Sequence, residues 1–296
     1  MEIKNITKEA KTLVEIARTA DLKKAIPFLY DLFPSRCFPK RHLRFKAYCV
    51  GTSKTGTTTM HAIFSKQYRS AHEPDARFLI TKILAFHNGN IDKSKFIQYI
   101  INHRDRRLGL EMDSSHLNYY LLDILVNEFN EAKFILTIRD CYSWLESLLS
   151  NQLVVFKQQN NWFRHQWVDF ADFRFGNKKK YAKEEAILAD KGLYTLDGYF
   201  SYWREHNSKV LATVPKERLL IVKTAEINQS INKIEEFLEI PPNTLSRGVR
   251  ENVRRKKFKN LSILSQIDKN FLEAKANFHC KELMNKYFPK VKGFNR

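Results

Sequence analysis

The sequence predicts an α/β chain, a three-layer sandwich whose central parallel sheet is flanked by helices, and three observations carry that expectation. Four short runs read as strands, at 45–50, 108–112, 133–138 and 218–222, the third β-branched and aromatic, and each is followed by apolar residues at helical spacing. Parallel neighbours need a long crossover, which a helix supplies, so strands spaced in this way pair in parallel and bury both faces. The first run ends at Gly51 and gives way within a few residues to a helical stretch, so a glycine turn joins strand to helix. No internal repeat or low-complexity linker interrupts the 296 residues, which favours a single domain.

Over 7–33, Leu13, Ile16, Ala17, Leu22, Ala25, Ile26, Leu29 and Leu32 recur at helical spacing, broken at Pro27, so residues 1–43 read as a helical N-terminal extension. The core spans 44–241, with helices at 57–64, 94–103, 116–129, 142–153, 196–211 and 231–238 between and after the strands. Residues 242–296 hold a basic loop, 247–259, and a terminal helix at 261–287. Residues 156–175 are rich in Trp, Phe, Arg and His but follow neither period. They read as an insertion over the site, with Trp162 and Trp167 either packed in the core or touching a ligand.

With 51 Lys and Arg against 32 Asp and Glu, the net charge of +19 draws anions to the surface, whether nucleotide, acidic glycan, nucleic acid or lipid headgroup. The chain has no helix-turn-helix, zinc or RNA-binding signature, so its charge alone supports only nonspecific attraction to nucleic acid. Cys37, Cys49, Cys141 and Cys280 are scattered and suggest neither a disulfide framework nor a zinc site. Residues 1–21 lack the apolar core of a signal peptide. No stretch reaches the roughly 18 to 20 apolar residues of a membrane span. The expectation is a soluble, cytoplasmic protein with no transmembrane segment.

Gly51-Thr52-Ser53-Lys54-Thr55-Gly56-Thr57-Thr58-Thr59 lies where a strand turns into a helix, the geometry in which backbone N–H groups converge on an anion. The two glycines have Walker spacing, yet Thr57 stands where the lysine should be, and the lysine is Lys54, inside the loop. This Lys-x-Gly-Thr-Thr arrangement resembles the 5′-phosphosulfate loop of the sulfotransferases that use 3′-phosphoadenosine-5′-phosphosulfate (PAPS). Downstream, 134–140 ending in Arg139-Asp140, with Ser147 eight residues after the arginine, is similar to the family's 3′-phosphate motif. Trp203, the strand 218–223 with Glu226, and 234–241 resemble its closing strand-helix segment.

The resemblance implies a P-loop-like nucleotide-binding fold, PAPS as co-substrate, the 3′,5′-bisphosphate PAP as product, and no metal. It implies that Lys54 neutralises the leaving oxygen while Thr55, Gly56, Thr57, Thr58 and Thr59 hold the 5′ end; simple helix capping is the alternative for the threonines. Arg139 and Ser147 would hold the 3′-phosphate, the alternative for Arg139 being a surface salt bridge with Asp140. Glu73 is the first candidate for the base and His72 the second. Asp113 and Ser114 are candidate substrate contacts, although Asp113 stands where relatives often have lysine, and Glu111 is packed or paired. Arg254 and Arg255, in a basic run through Lys257, are candidates to cover the nucleotide. The acceptor would be a small molecule or a glycan, with no specific nucleic acid. The competing readings are a P-loop nucleotide kinase or NTPase, for which Asp140 could hold a metal, and a basic nucleic-acid-binding protein.

Overall fold

The computed structural model describes residues 38–158, 162–176, 180–249 and 263–294. The expected lead-in at 7–33 lies outside the described residues, as do Arg254, Arg255 and their neighbours. Contacts divide the chain into two compact units, one built on 38–43 and 75–109, the other on 44–74 and the residues from 110 onward.

The larger unit holds a five-stranded sheet of order β2-β3-β1-β4-β5. Its strands are β1 (Ala47–Cys49), β2 (Ser70–His72), β3 (Met112–Ser114), β4 (Lys133–Ile138) and β5 (Leu219–Lys223). Every pair is parallel, with Cys49 opposite both Ser114 and Ile135, His72 opposite Ser114, and Ile138 opposite Lys223. Helix α1 (Thr57–Phe64) follows β1. The smaller unit carries α2 (Ala76–His87) and α3 (Lys93–Gln98), which is capped by Asp92 accepting from the Lys95 N–H. A π-helical stretch (Tyr99–Asp105) and a short turn (Arg106–Leu108) then end at Gly109, whose φ of 52° is left-handed. Within this unit Phe86 stacks on Phe96 with ring centres 4.6 Å apart, and Arg107 pairs with Asp75.

The remaining main helices, all in the larger unit, are α4 (Leu122–Glu128), α5 (Cys141–Gln158), α6 (Trp162–Phe175), α7 (Leu196–Thr213), α8 (Ile231–Phe237) and α9 (Lys269–Tyr287). Two apolar clusters sandwich the sheet. One joins Cys49, Met112, Ile135, Leu220 and Val222 of the strands to Met60 and Phe64 of α1 and Ile231 and Ile234 of α8. The other joins Ile138 to Trp144 and Leu145 of α5, Tyr199 and Trp203 of α7, and Leu272 and Met284 of α9. The alternation along β5, with Leu220 and Val222 in the first cluster and Ile221 against the second, is the period of two that a doubly covered strand requires. Among the described residues no helix is long and apolar enough to cross a membrane.

The strand expected at 108–112 lies instead at Met112–Ser114, because the helical turn before it runs to Leu108. Just ahead of β3, Glu111 is 1% exposed. Its carboxylate accepts from the Arg44 Nε at 2.7 Å, the Arg44 Nη2 at 2.8 Å, the Arg69 N–H at 2.8 Å and the Arg44 N–H at 3.2 Å. Burial raises the Glu111 pKa, but these donors overcome it and hold the group down at about 2. Such a depressed carboxyl stabilises the fold above its ordinary range, and that stability is lost as pH falls toward 2. Glu111→Gln is expected to lower stability by about 2 kcal/mol at neutral pH. The difference from the parent should narrow as pH falls below about 4, which denaturant melts across that range would measure.

Candidate active site

Because the strands are parallel, their carboxyl ends share one edge, and the segments leaving that edge carry the candidate residues. After β1, a Cβ on Gly51 would sit 2.0 Å from the Thr137 Oγ1 and 2.5 Å from its carbonyl oxygen, so only glycine lets the chain pass β4 here. The loop closes on itself through the Thr55 hydroxyl, which donates to the Thr52 carbonyl at 2.7 Å and lies 2.9 Å from the Thr137 hydroxyl. Lys54 and Gly56 take left-handed φ angles of 72° and 95°. Gly56 is the N-cap of α1 and contributes no side-chain cap, so the positive end of the helix faces the loop.

A cavity of about 430 Å³ opens above this edge. Lys54, Gly56, Thr57, Thr58 and Thr59 line it on the loop side, and Arg139 and Ser147 also line it, so both expected phosphate grips share one cleft. The Lys54 Nζ donates to the Asn151 Oδ1 of α5 at 3.2 Å. The Arg139 Nε donates to the Ser143 hydroxyl at 2.9 Å, and its Nη1 reaches the Lys54 carbonyl at 3.4 Å. Burial lowers the Arg139 pKa, with Asp140 and Glu146 acting against it, and a guanidinium stays charged regardless. Asp140 binds Ser143 through both that residue's N–H and hydroxyl, so it caps α5 and does not pair with Arg139.

Two buried indoles fix the backbone beneath these grips. Trp144 donates to the Ser53 carbonyl at 3.0 Å, and Trp203 to the Arg139 carbonyl at 3.1 Å. Behind β1, His206 of α7 is fully buried, and its Nε2–H donates to the Val50 carbonyl at 2.8 Å. Burial pushes its pKa down to about 3, so the ring is neutral.

The base candidates stand at the end of β2, His72 as its last residue and Glu73 just after it. His72 Nε2 lies 3.1 Å from the Thr57 hydroxyl and 3.2 Å from that of Thr58, so both hydroxyls bond the histidine. Burial lowers the His72 pKa. The Glu73 Oε1 accepts from the Nδ1 of His116, 2.7 Å away. Burial raises the Glu73 pKa, yet His116 first, with His72 and Arg174, draws it down to about 2. His116, just past β3, belongs to none of the sequence motifs. It is 3% exposed and lines the cavity, and its Nε2 is buried without a hydrogen-bond partner.

Three other expectations differ from the geometry. Asp113 and Ser114 do not line the cavity: the Ser114 hydroxyl donates to the Thr57 carbonyl at 2.7 Å, and Asp113 is 3% exposed against Asn118. The Thr55 hydroxyl, spent inside the loop, does not line it either. The aromatic segment 156–175 is not irregular, since α5 runs through Gln158 and α6 from Trp162. Trp167, Phe170, Ala171 and Arg174 line the cavity at the i, i+3, i+4, i+7 spacing of one helix face.

A parallel α/β sheet with a glycine-turned loop at its carboxyl edge is an architecture suited to binding an anion at the strand ends. Residues 114–245 match a family model described as a sulfotransferase domain, and that match supports a sulfotransferase family assignment for the chain. A crystal structure of a sulfotransferase from Alicyclobacillus acidocaldarius is 13% identical, with a TM-score of 0.43, over 80% of this chain and 96% of that one. A sulfotransferase domain from the curacin biosynthetic pathway is 11% identical, with a TM-score of 0.34, over 68% of this chain and 76% of that one. No curated protein matches the chain.

Gly51→Ala is expected to destabilise the protein by about 2–3 kcal/mol, because the added methyl meets the Thr137 backbone and cannot be relieved by a rotamer change. A thermal melt beside the parent protein checks this.

Proposed function

We propose that this chain is a PAPS-dependent sulfotransferase that carries a sulfuryl group to an acceptor hydroxyl of a carbohydrate or small molecule by in-line displacement. The observation that carries the reading is one cavity lined by the Lys54 loop, by Arg139 with Ser147, and by the Glu73–His116 pair. Those groups suit a nucleotide with anionic groups at two separated positions, and the unpartnered Nε2 of His116 leaves an acceptor's hydroxyl something to bond.

When bound, the nucleotide supplies a sulfuryl group whose sulfur bonds to the acceptor oxygen as its bond to the 5′-phosphate oxygen breaks, the electron pair leaving on that oxygen. Lys54 and the N-terminal end of α1 neutralise the charge that builds there. Arg139 and Ser147 hold the 3′-phosphate. The acceptor's proton goes to the Nε2 of His116. Glu73 keeps Nδ1–H oriented and stabilises the imidazolium that forms, as a carboxylate does in a catalytic triad. With a pKa of about 2, Glu73 itself is a weak proton acceptor, so the base role passes from Glu73 to His116. His72 holds the Thr57 and Thr58 hydroxyls in place. A magnesium-dependent kinase is disfavoured because Asp140, its candidate metal ligand, is engaged with Ser143.

Thermal unfolding tests the donor. PAPS and PAP should raise the midpoint, since each binds only the folded state, while ATP with magnesium and a DNA oligomer should not. Strong stabilisation by ATP with magnesium and none by the 3′-phosphorylated nucleotides would sink the reading. Labelled PAPS offered to a panel of sugars, phenols and alcohols would identify the acceptor.

With that acceptor, His116→Asn should lower turnover by about a hundredfold or more, with PAP affinity kept within about twofold. Glu73→Gln should cost less than His116→Asn does. The reverse order would return the base role to Glu73.

A further inference from the structure

Among the described residues, three Lys or Arg side chains line the cavity, namely Lys54, Arg139 and Arg174, and the proposed mechanism uses only the first two. Arg174 comes from the last turn of α6. Its guanidinium lies 4.6 Å from the ring centre of Tyr202, 4.7 Å from that of Phe175 and 5.5 Å from that of Phe170. Its Nη2 donates to the Ser53 hydroxyl at 3.2 Å, and its Nε is buried with no partner. A guanidinium has five N–H donors and a permanent charge; among the described residues no carboxylate is in hydrogen-bond contact with Arg174, and its unpartnered Nε is a donor that an incoming anion can take. The aromatic faces attract the cation and hold the fork in place.

Its position says which anion. Ser53 adjoins Lys54, the proposed ligand of the leaving oxygen, while on the other side Arg174 is among the charges that act on Glu73, the partner of His116. A group that lines the same cavity as Lys54 and His116 and bonds the residue beside Lys54 is placed to meet the transferred group. We propose that Arg174 is the ligand of the sulfuryl group, its unused N–H donors taking the non-bridging oxygens as the sulfur moves between the two oxygens. Arg174 exchanges no proton, and the sulfur–oxygen bonds made and broken are those of the transfer itself. The assignment rests on the sulfotransferase reading.

The experiment needs no acceptor. Dissociation constants of PAPS and of PAP are measured on the full chain for the parent protein, Arg174→Gln, Arg174→Lys and Arg139→Gln. Arg174→Gln should weaken PAPS about tenfold or more while leaving PAP within about twofold, because only PAPS carries the sulfuryl group. Arg174→Lys, which keeps the charge but loses the fork, should fall between, and it carries the test if the glutamine variant does not fold. Arg139→Gln should weaken both nucleotides alike. Equal weakening of PAPS and PAP by the Arg174 variants, or no change in either, would overturn the proposal, and the second result would leave an acidic group on the acceptor as the anion. A parent protein that binds neither nucleotide fails at the earlier step, and both readings fall with it.

Discussion

Parallel pairing is the constraint on which the rest depends. Five strands running in one direction put five carboxyl ends on one edge, and after them come the Lys54 loop, Glu73, His116, Arg139 and Thr224. Residues far apart in sequence meet there without any contact that exists only to bring them together. The absence of a side chain at Gly51 lets the segment after β1 pass close to Thr137 of its neighbour β4, which brings the Lys54 loop beside the end of the strand that leads to Arg139. The Thr224 hydroxyl, which donates to the carbonyls of Thr55 at 2.8 Å and Ile138 at 3.1 Å, ties the fifth strand's end to the same two places.

The parts of this arrangement that the sequence made legible are those with an uninterrupted local signal. The helix Thr57–Phe64 and the strand Lys133–Ile138 lie where periodicity and β-branching put them. Strands β2 and β3 escape the same reading because each is three residues long, Ser-Ala-His and Met-Asp-Ser, with polar side chains held by tertiary partners. Helix α6 escapes for the opposite reason. One of its faces lines a cavity and others pack, so apolar residues appear all round and no stripe stands out. The chemistry divides in the same way: the loop is a local motif and can be read, whereas His116 gains its interest from an unpartnered nitrogen and a carboxylate 43 positions away.

The cavity concentrates positive charge while satisfying it unevenly. Glu73 is balanced by His116, and Lys54 is steadied by Asn151, but Arg174 is surrounded by aromatic rings. A site arranged this way has low dielectric where charge is greatest, so an incoming oxyanion feels more attraction than it would at the surface.

The two indole anchors have a consequence for selectivity. Trp144 and Trp203 are fully buried, and each holds by its N–H a carbonyl at one of the two grips, Ser53 next to Lys54 and Arg139 itself. The gap between the grips is therefore gauged by the packing of α5 and α7 and not by a pliable loop. Under the proposed function such a gauge would act as a fixed calliper, selecting ligands by the separation of their charged groups before any hydrogen bond to the base is made.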